Sequence, residues 1–550
     1  MKMEEQARPG QPGTCASPEM TGDVRPPCPN LVHPWRTRQV PSWAWLLVFA
    51  FPLLLYAGSL GADFLMDDET IITANTRLAP GQGPLEIFRR PEQFADFTLP
   101  YYRPLVNASY WVDSRLWGSN ASGFHLTNLL LHWMATLLVF TFARALMAEP
   151  LWAALAALVF AAHPIHTESV IMVQGRTDLL GTVFVLLSLL ALLQTFRATD
   201  GVQILAAGVA SGVALLGALL SKEMAITWPA LAAVIVVAYP NATKEKAARM
   251  ALLCAVGAAA LGVYFWIRGA ATSGSLPVDF SRIGTPSLGL VPITFVTYLG
   301  LLVWPFSFSF IRSIPPPETW ADPRILVNAI LAIAILLSLA LLARRNRIVA
   351  VGASWMVITL LPVLNLFPIP GFVVAERYLY LPSVGFCLLL VSWIRQAAFT
   401  WATSKSHLAL AAAVLLLLAA FAATIQIRAI QWQDPVGVFE SMARQTPNSF
   451  FVQNNLGLEY LSAGETQKAV DTLLRARELE PSNPAVWNNL GLALRRSGRL
   501  LEARSALERA ITMNPEYAQA YENFAELLAA QGDHTGARRV RERAKAIGAR

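Results

Sequence analysis

Apolar stretches of about 20 residues, separated by short polar joints, follow one another from residue 42 to residue 428. A helix of that length crosses a hydrocarbon core about 30 Å thick. The stretches fall near 42–60, 125–146, 150–166, 178–197, 203–221, 224–240, 247–267, 324–343, 347–368, 376–396 and 408–428. One more, 287–310, is interrupted by Trp304-Pro305. Basic residues decide how to count it. Lys244, Lys246 and Arg249, then Arg344, Arg345 and Arg347, then Arg395 and Lys405 mark joints expected on the cytoplasmic side. With Arg36 and Arg38 also inside, these placements agree only if 287–310 makes no net crossing. The pattern therefore predicts eleven crossings, with loop 61–124 and the C-terminus on the non-cytoplasmic side.

From residue 450 the pattern becomes charged, Ala-rich and helical, with a 34-residue period. Asn455-Leu456-Gly457 recurs as Asn489-Leu490-Gly491 and as Asn523-Phe524-Ala525. Gly464, Gly498 and Gly532 are expected at the turns between paired helices, and Ala469, Ala503 and Ala537 where the helices approach. This is the tetratricopeptide pattern, three repeats over 450–550, joined to the membrane part by a linker, 431–449. Arg541 stands where Leu473 and Leu507 stood, as in a solvent-facing terminal cap. At the other end, residues 1–41 read as a disordered cytoplasmic tail, since a cleavable signal peptide carries its apolar core nearer the start. The fold class expected is all-α: a polytopic membrane domain over 42–430, then helical repeats.

Composition agrees. Of 550 residues, 55% are hydrophobic and 14% charged, with mean hydropathy +0.46, whereas soluble domains carry about 25% charged residues. The net charge of +7 is spread over loops and tail, which suits membrane topology rather than nucleic acid. The four cysteines form no disulfide framework: Cys254 and Cys387 lie in apolar segments, Cys15 and Cys28 in the tail.

The polar residues of the membrane half gather at non-cytoplasmic span ends. Asp67, Asp68 and Glu69 directly follow the first span, an expensive place for acids without a task. Arg103, His125, Asn128, His163, His166, Glu168, Arg176, Asp178, Lys222, Glu223, Glu376, Arg377 and Tyr378 fall at the same level, with His132 deeper. Several helices aiming acids and bases at one level imply a shared polar cavity. Carboxylates there can deprotonate an acceptor hydroxyl, while Arg and Lys stabilise a departing phosphate. Blander readings stand beside this one. Lys222-Glu223 and Glu376-Arg377 can be ion pairs that only orient helices. His163, His166 and Glu168 can hold zinc, though a helix-ending His-Pro with ordinary hydrogen bonds is the simpler reading.

Several motifs, in order, resemble the transmembrane and tetratricopeptide-repeat-containing proteins: Phe64-Leu-Met-Asp67-Asp68-Glu69, Tyr102-Arg103-Pro104-Leu105, Gly123-Phe124-His125-Leu126-Thr127-Asn128, Phe160-Ala-Ala-His163-Pro164-Ile165-His166-Thr167-Glu168 with Gly175-Arg176-Thr177-Asp178, Ser221-Lys222-Glu223, and Ala375-Glu376-Arg377-Tyr378-Leu379-Tyr380. The resemblance spans residues 42–550. It implies a protein O-mannosyltransferase of the C-type glycosyltransferase superfold, taking mannose from a polyprenyl phosphate to Ser/Thr with inversion, on the luminal or periplasmic face. The family's acidic pair maps onto Asp67 and Asp68, with Asp67 as the base and Asp68 and Glu69 in support. Arg103, Arg176, Lys222 and Arg377 then bind the donor phosphate, and the remaining polar residues orient the cavity. A divalent cation suits the carboxylates, but the metal requirement stays open. The Ala/Arg-rich composition points to a bacterial inner membrane, with the endoplasmic reticulum as the eukaryotic counterpart. Asn455, Asn489 and Asn523 are expected to line the repeats' concave face and grip an acceptor backbone through their amides. Two other readings compete: a surface-glycan ligase or polymerase, and a non-catalytic scaffold that recruits partners through its repeats.

Overall fold

A computed structural model describes residues 42–64, 68–73, 75, 78, 83, 87, 93–94, 97–98, 101–147, 149–238, 244–272, 285–306, 312, 314–366, 373–400 and 403–548. Asp67 lies outside the described residues, as does the side chain of Glu69. The described chain is helical apart from a minimal antiparallel pairing of Gln93–Phe94 with Phe97–Thr98 in the first loop. The helices of the membrane half are α1 (Ser42–Tyr56), α2 (Pro104–Trp117), α3 (Ala121–Leu146), α4 (Pro150–Ala162), α5 (Arg176–Arg197), α6 (Gly201–Leu219) and α7 (Trp228–Ala238). They continue as α8 (Lys244–Ala271), α9 (Thr285–Val303), α10 (Pro323–Ala343), α11 (Arg347–Leu360), α12 (Pro382–Thr400) and α13 (Ser404–Gln431). Among the described residues eight helices are long and apolar enough to cross a membrane, or nine if the bent pair Pro150–Ala162 and Pro164–Ile171 counts as one span. The stretches 223–238, 288–303 and 347–363 form shorter apolar helices.

The 50° bend after α4 has a local cause. Pro164 cannot donate the backbone bond that would continue the helix. His163 caps the turn that follows: its Nδ1 accepts the Ile165 N–H at 3.4 Å and its Nε2 donates to the Leu302 carbonyl at 2.9 Å. A helix-ending histidine is what the structure shows at His163.

Contacts sort the helix ends into two levels. At the far end, Arg395 at the end of α12 pairs with Glu149 just before α4, at 2.7 and 3.0 Å. At the site end, Asp68, the 163–178 segment, Lys222 and Arg377 come together. Helix α9 meets site-end neighbours along its whole length. A Cβ added to Gly289 would meet Pro317 and Ile325 near the start of α10, Thr294 bonds the Leu364 carbonyl at 3.1 Å, and Leu302 receives His163. Both ends of α9 thus sit at one level, the geometry expected of a segment that makes no net crossing.

Three helix pairs form the repeats: Phe450–Ser462 with Thr466–Leu479, Pro484–Arg496 with Leu500–Met513, and Ala518–Ala530 with His534–Gly548. Gly464, Gly498 and Gly532 turn between them at φ +80°, +79° and +86°, a region that side chains rarely adopt. Arg541 is exposed and pairs loosely with Glu522 at 3.4 Å, as a cap residue does. The stretch expected to be a linker is itself helical, α14 (Pro435–Gln445), and it packs as the first layer of the array. Its Val438 and Phe439 share one apolar cluster with Trp432, with Val452 and Leu456 of the first repeat, and with Ala62, Ile171 and Met172 of the membrane half. The repeats are therefore rooted at the site end of the bundle.

Candidate active site

The turn 171–175 is the mechanical centre of this end. A Cβ on Gly175 would overlap the Ser169 carbonyl, so only glycine lets this turn cross the preceding helix. Asn128 holds the turn from α3, donating to Met172 O at 2.7 Å. Asp68 holds it from the first loop. That carboxylate is fully buried and accepts from the backbone of Val173 at 3.0 Å and of Gln174 at 2.8 Å. Buried charge is tolerated only when hydrogen-bonded in this way. Asp68 was expected among the catalytic acids; both of its oxygens are instead committed to backbone, and it anchors the segment that carries Asp67.

Arg176 also departs from expectation. Its guanidinium is 0% exposed. It donates to Asn128 Oδ1 at 2.8 Å, to the Phe124 carbonyl at 3.0 Å and to Ser109 Oγ at 3.2 Å, and pairs with Asp113 at 2.7 Å. These contacts, from all three of its nitrogens, tie α2 to α3 at the start of α5. It is a structural brace and not a phosphate ligand. His125 is buried at the same junction, against the backbone of Ala62, Asp63 and Ile171.

The other three cations do meet. Arg103 forms a fork with Glu223, at 3.0 Å from Nε and 2.9 Å from Nη2, with the Tyr101 ring 4.4 Å from its guanidinium. Lys222 pairs with Asp178. Arg377 pairs with Glu168 at 2.6 Å, and its backbone N–H donates to the same carboxylate at 2.9 Å. Lys222 feels the charges of both Arg103 and Arg377, and the Tyr378 ring lies 5.4 Å from its ammonium and 5.5 Å from Arg377. Side-chain exposures of 16% and 17% leave Arg103 and Arg377 partly accessible, whereas Lys222 is buried beside Asp178. Burial draws the Lys222 ammonium below the usual lysine range, opposed by Asp178. The adjacent-residue ion pairs read from sequence do not form: Lys222 and Glu223 turn to different helices, as do Glu376 and Arg377.

Glu376 instead receives Arg428 Nη1 at 2.8 Å, and Arg428 also donates to the Pro164 and Pro305 carbonyls at 2.7 and 2.9 Å. Arg428 sits in the last turn of α13 and is 1% exposed. Sequence reading missed it and Asp113; for Arg428 a charged residue in the last turn of an apolar span was the available signal. The histidines close a packed cluster below the cations. His132 meets Tyr380 OH at 2.7 Å, and His166 donates to Ser383 Oγ at 2.9 Å. Among the described residues no group of three or more His, Cys, Asp and Glu gathers to hold a metal, so His163, His166 and Glu168 do not form the zinc site that their spacing allows.

In the repeats, Asn489 donates to Asn454 Oδ1 at 3.0 Å and Asn523 to Asn488 Oδ1 at 2.8 Å, while Asn455 bonds the carbonyl of Phe451 in its own helix at 2.7 Å. The asparagine ladder exists, but two of its three amides, those of Asn489 and Asn523, lock one repeat to the one before. It is a register device and not the open peptide grip expected.

Comparison with known proteins places these features. The tetratricopeptide repeat model matches residues 454–511 and 494–549. The human protein O-mannosyl-transferase TMTC4 is 31% identical over 489 residues, covering 78% of this chain and 65% of the relative. The Caenorhabditis elegans protein O-mannosyl-transferase F38B6.6 is 27% identical over 459 residues, covering 80% and 63%. The chain thus spans just under two thirds of the length of these relatives. An Archaeoglobus fulgidus oligosaccharyltransferase structure aligns over 74% of this chain and 58% of its own at 16% identity, with a TM-score of 0.42. On sequence, the chain is a homologue of the TMTC protein O-mannosyl-transferases, a multi-span helical membrane protein ending in tetratricopeptide repeats.

Proposed function

We propose that this protein moves mannose from a polyprenyl-phosphate donor to Ser or Thr hydroxyls of extracytoplasmic proteins. The observation that carries the reading is the grouping of Arg103 and Arg377, both partly accessible, with the buried Lys222 at the end of the bundle that bears the acidic loop. In the step, a carboxylate takes the hydroxyl proton, the acceptor oxygen bonds the anomeric carbon, and the bond from that carbon to the phosphate oxygen breaks. The electron pair leaves on the polyprenyl phosphate, where paired guanidinium and ammonium groups hold the charge. Each cation is kept in place beforehand by its carboxylate, so little reorganisation accompanies bond breaking. Mannose, rather than another sugar, rests on the names of the relatives.

The repeats, rooted beside the turn that Asp68 anchors, are read as the holder of the acceptor segment. Removing residues 435–550 in membrane vesicles supplied with polyprenyl-phosphate mannose should leave slow donor hydrolysis and lower modification of a protein acceptor at least tenfold. Unchanged acceptor modification would remove the repeats from the reaction. Orientation has its own test. In a background lacking Cys254 and Cys387, an impermeant thiol reagent should label Ala530→Cys from outside intact cells and leave Cys15 and Cys28 unlabelled. Protection of residue 530 would place the repeats in the cytoplasm and overturn the extracytoplasmic assignment.

A further inference from the structure

At the far end of the bundle, away from the cation group, a cavity of about 390 Å³ opens between the α10–α11 joint and the end of α12. We propose that it is a binding site for the phosphate headgroup of an anionic membrane phospholipid. Its polar wall is Arg345, Asn346 and Arg395, with Thr400 beside them. Among the described residues Arg345 pairs with no carboxylate. Arg395 gives Nε and Nη2 to Glu149, which fixes its plane and leaves Nη1 for another acceptor. The Asn346 side chain caps α11 by accepting from Ile348 at 2.9 Å and Val349 at 3.5 Å, so the positive end of that helix lies at the cavity wall. Arg344 and Arg347 flank the joint, and among the described residues no acid lines the cavity.

The remaining wall states which phosphate fits. Trp393 is 53% exposed and Phe399 67% exposed, and Leu342 lies beside them on the lipid-facing surface. A water-soluble phosphate gains nothing from that wall. A phospholipid sets its phosphodiester on the two arginines, its glycerol against Thr400 and its chains along Leu342 and the aromatic rings. Basic pockets between spanning helices bind anionic headgroups in this manner.

The full-length protein, purified in a neutral detergent, provides the test. Adding phosphatidylglycerol should raise the unfolding temperature by several degrees, and phosphatidylcholine or inorganic phosphate should not. Arg345→Gln, at an exposed position, should weaken apparent phosphatidylglycerol affinity about fivefold, the loss expected for one basic residue at an anionic surface. Arg395→Gln should do at least as much, and native mass spectrometry should show fewer retained lipids in both. Equal stabilisation of wild type and Arg345→Gln would overturn the site. An equal response to inorganic phosphate would overturn the lipid assignment in favour of soluble anions.

Discussion

Asp67→Asn is expected to lower sugar transfer by about 10²–10⁴-fold, the contribution of a positioned general base, while the protein still inserts and unfolds at its usual temperature. The expectation follows from what its neighbour does. Asp68 is buried and holds the backbone of Val173 and Gln174 with both oxygens. That structural task falls to Asp68, and the base is assigned to Asp67 from the motif the two acids share. Asp68→Ala should fail differently. It leaves the buried Val173 N–H without its acceptor, at about 1–3 kcal/mol, and the partly buried Gln174 N–H as well, and should lower thermal stability and transfer together. Radiolabelled mannose transfer in vesicles, with unfolding followed on the same preparations, separates the outcomes. Full transfer by Asp67→Asn would remove the base assignment whatever Asp68 does.

Arg428→Ala should destabilise the protein by about 3–5 kcal/mol, the usual result of removing one partner of a buried ion pair. The loss should depend on pH. Burial pushes the Glu376 carboxyl up to about 7, with Arg428 pulling it back. A carboxyl raised in the folded state favours folding below its ordinary value near 4.5, and that contribution disappears as pH rises through 7. Without Arg428 the charged form of Glu376 is penalised further. The variant should therefore lose least stability at pH 5 and most at pH 8, and adding Glu376→Gln should recover much of the loss at pH 8. Unfolding midpoints of the three proteins at the two pH values decide it; parallel losses at both would mean that Glu376 is not the group left exposed to the penalty.

Much of this architecture is legible in the order of residues alone. Apolar length locates the helices because lipid leaves few alternatives, and the 34-residue repetition locates the turns at Gly464, Gly498 and Gly532. The level at which Arg103, Lys222 and Arg377 meet is legible too, from where charge interrupts hydropathy. Partner choice is not. Lys222 stands next to Glu223 in sequence yet pairs with Asp178, and Arg377 stands next to Glu376 yet pairs with Glu168. Neighbours in a helical segment do not face each other, and which distant helix supplies the partner depends on packing phase. Arg176 shows the limit: its charge and position match those of Arg103, Lys222 and Arg377, and only its enclosed set of partners tells the difference. The asparagines of the repeats show the same, since a periodic amide in a sequence serves register or recognition equally well.

The root of the repeat array beside the turn 171–175 separates two things that evolution can vary. Trp432, Val438 and Phe439 settle the array's base against Ile171 and Met172, while each later repeat locks only to the one before it through Asn454–Asn489 and Asn488–Asn523. Whole repeats can then be inserted or lost beyond the first without disturbing the seating of the acidic loop. Array length can then change while the base stays seated against Ile171 and Met172.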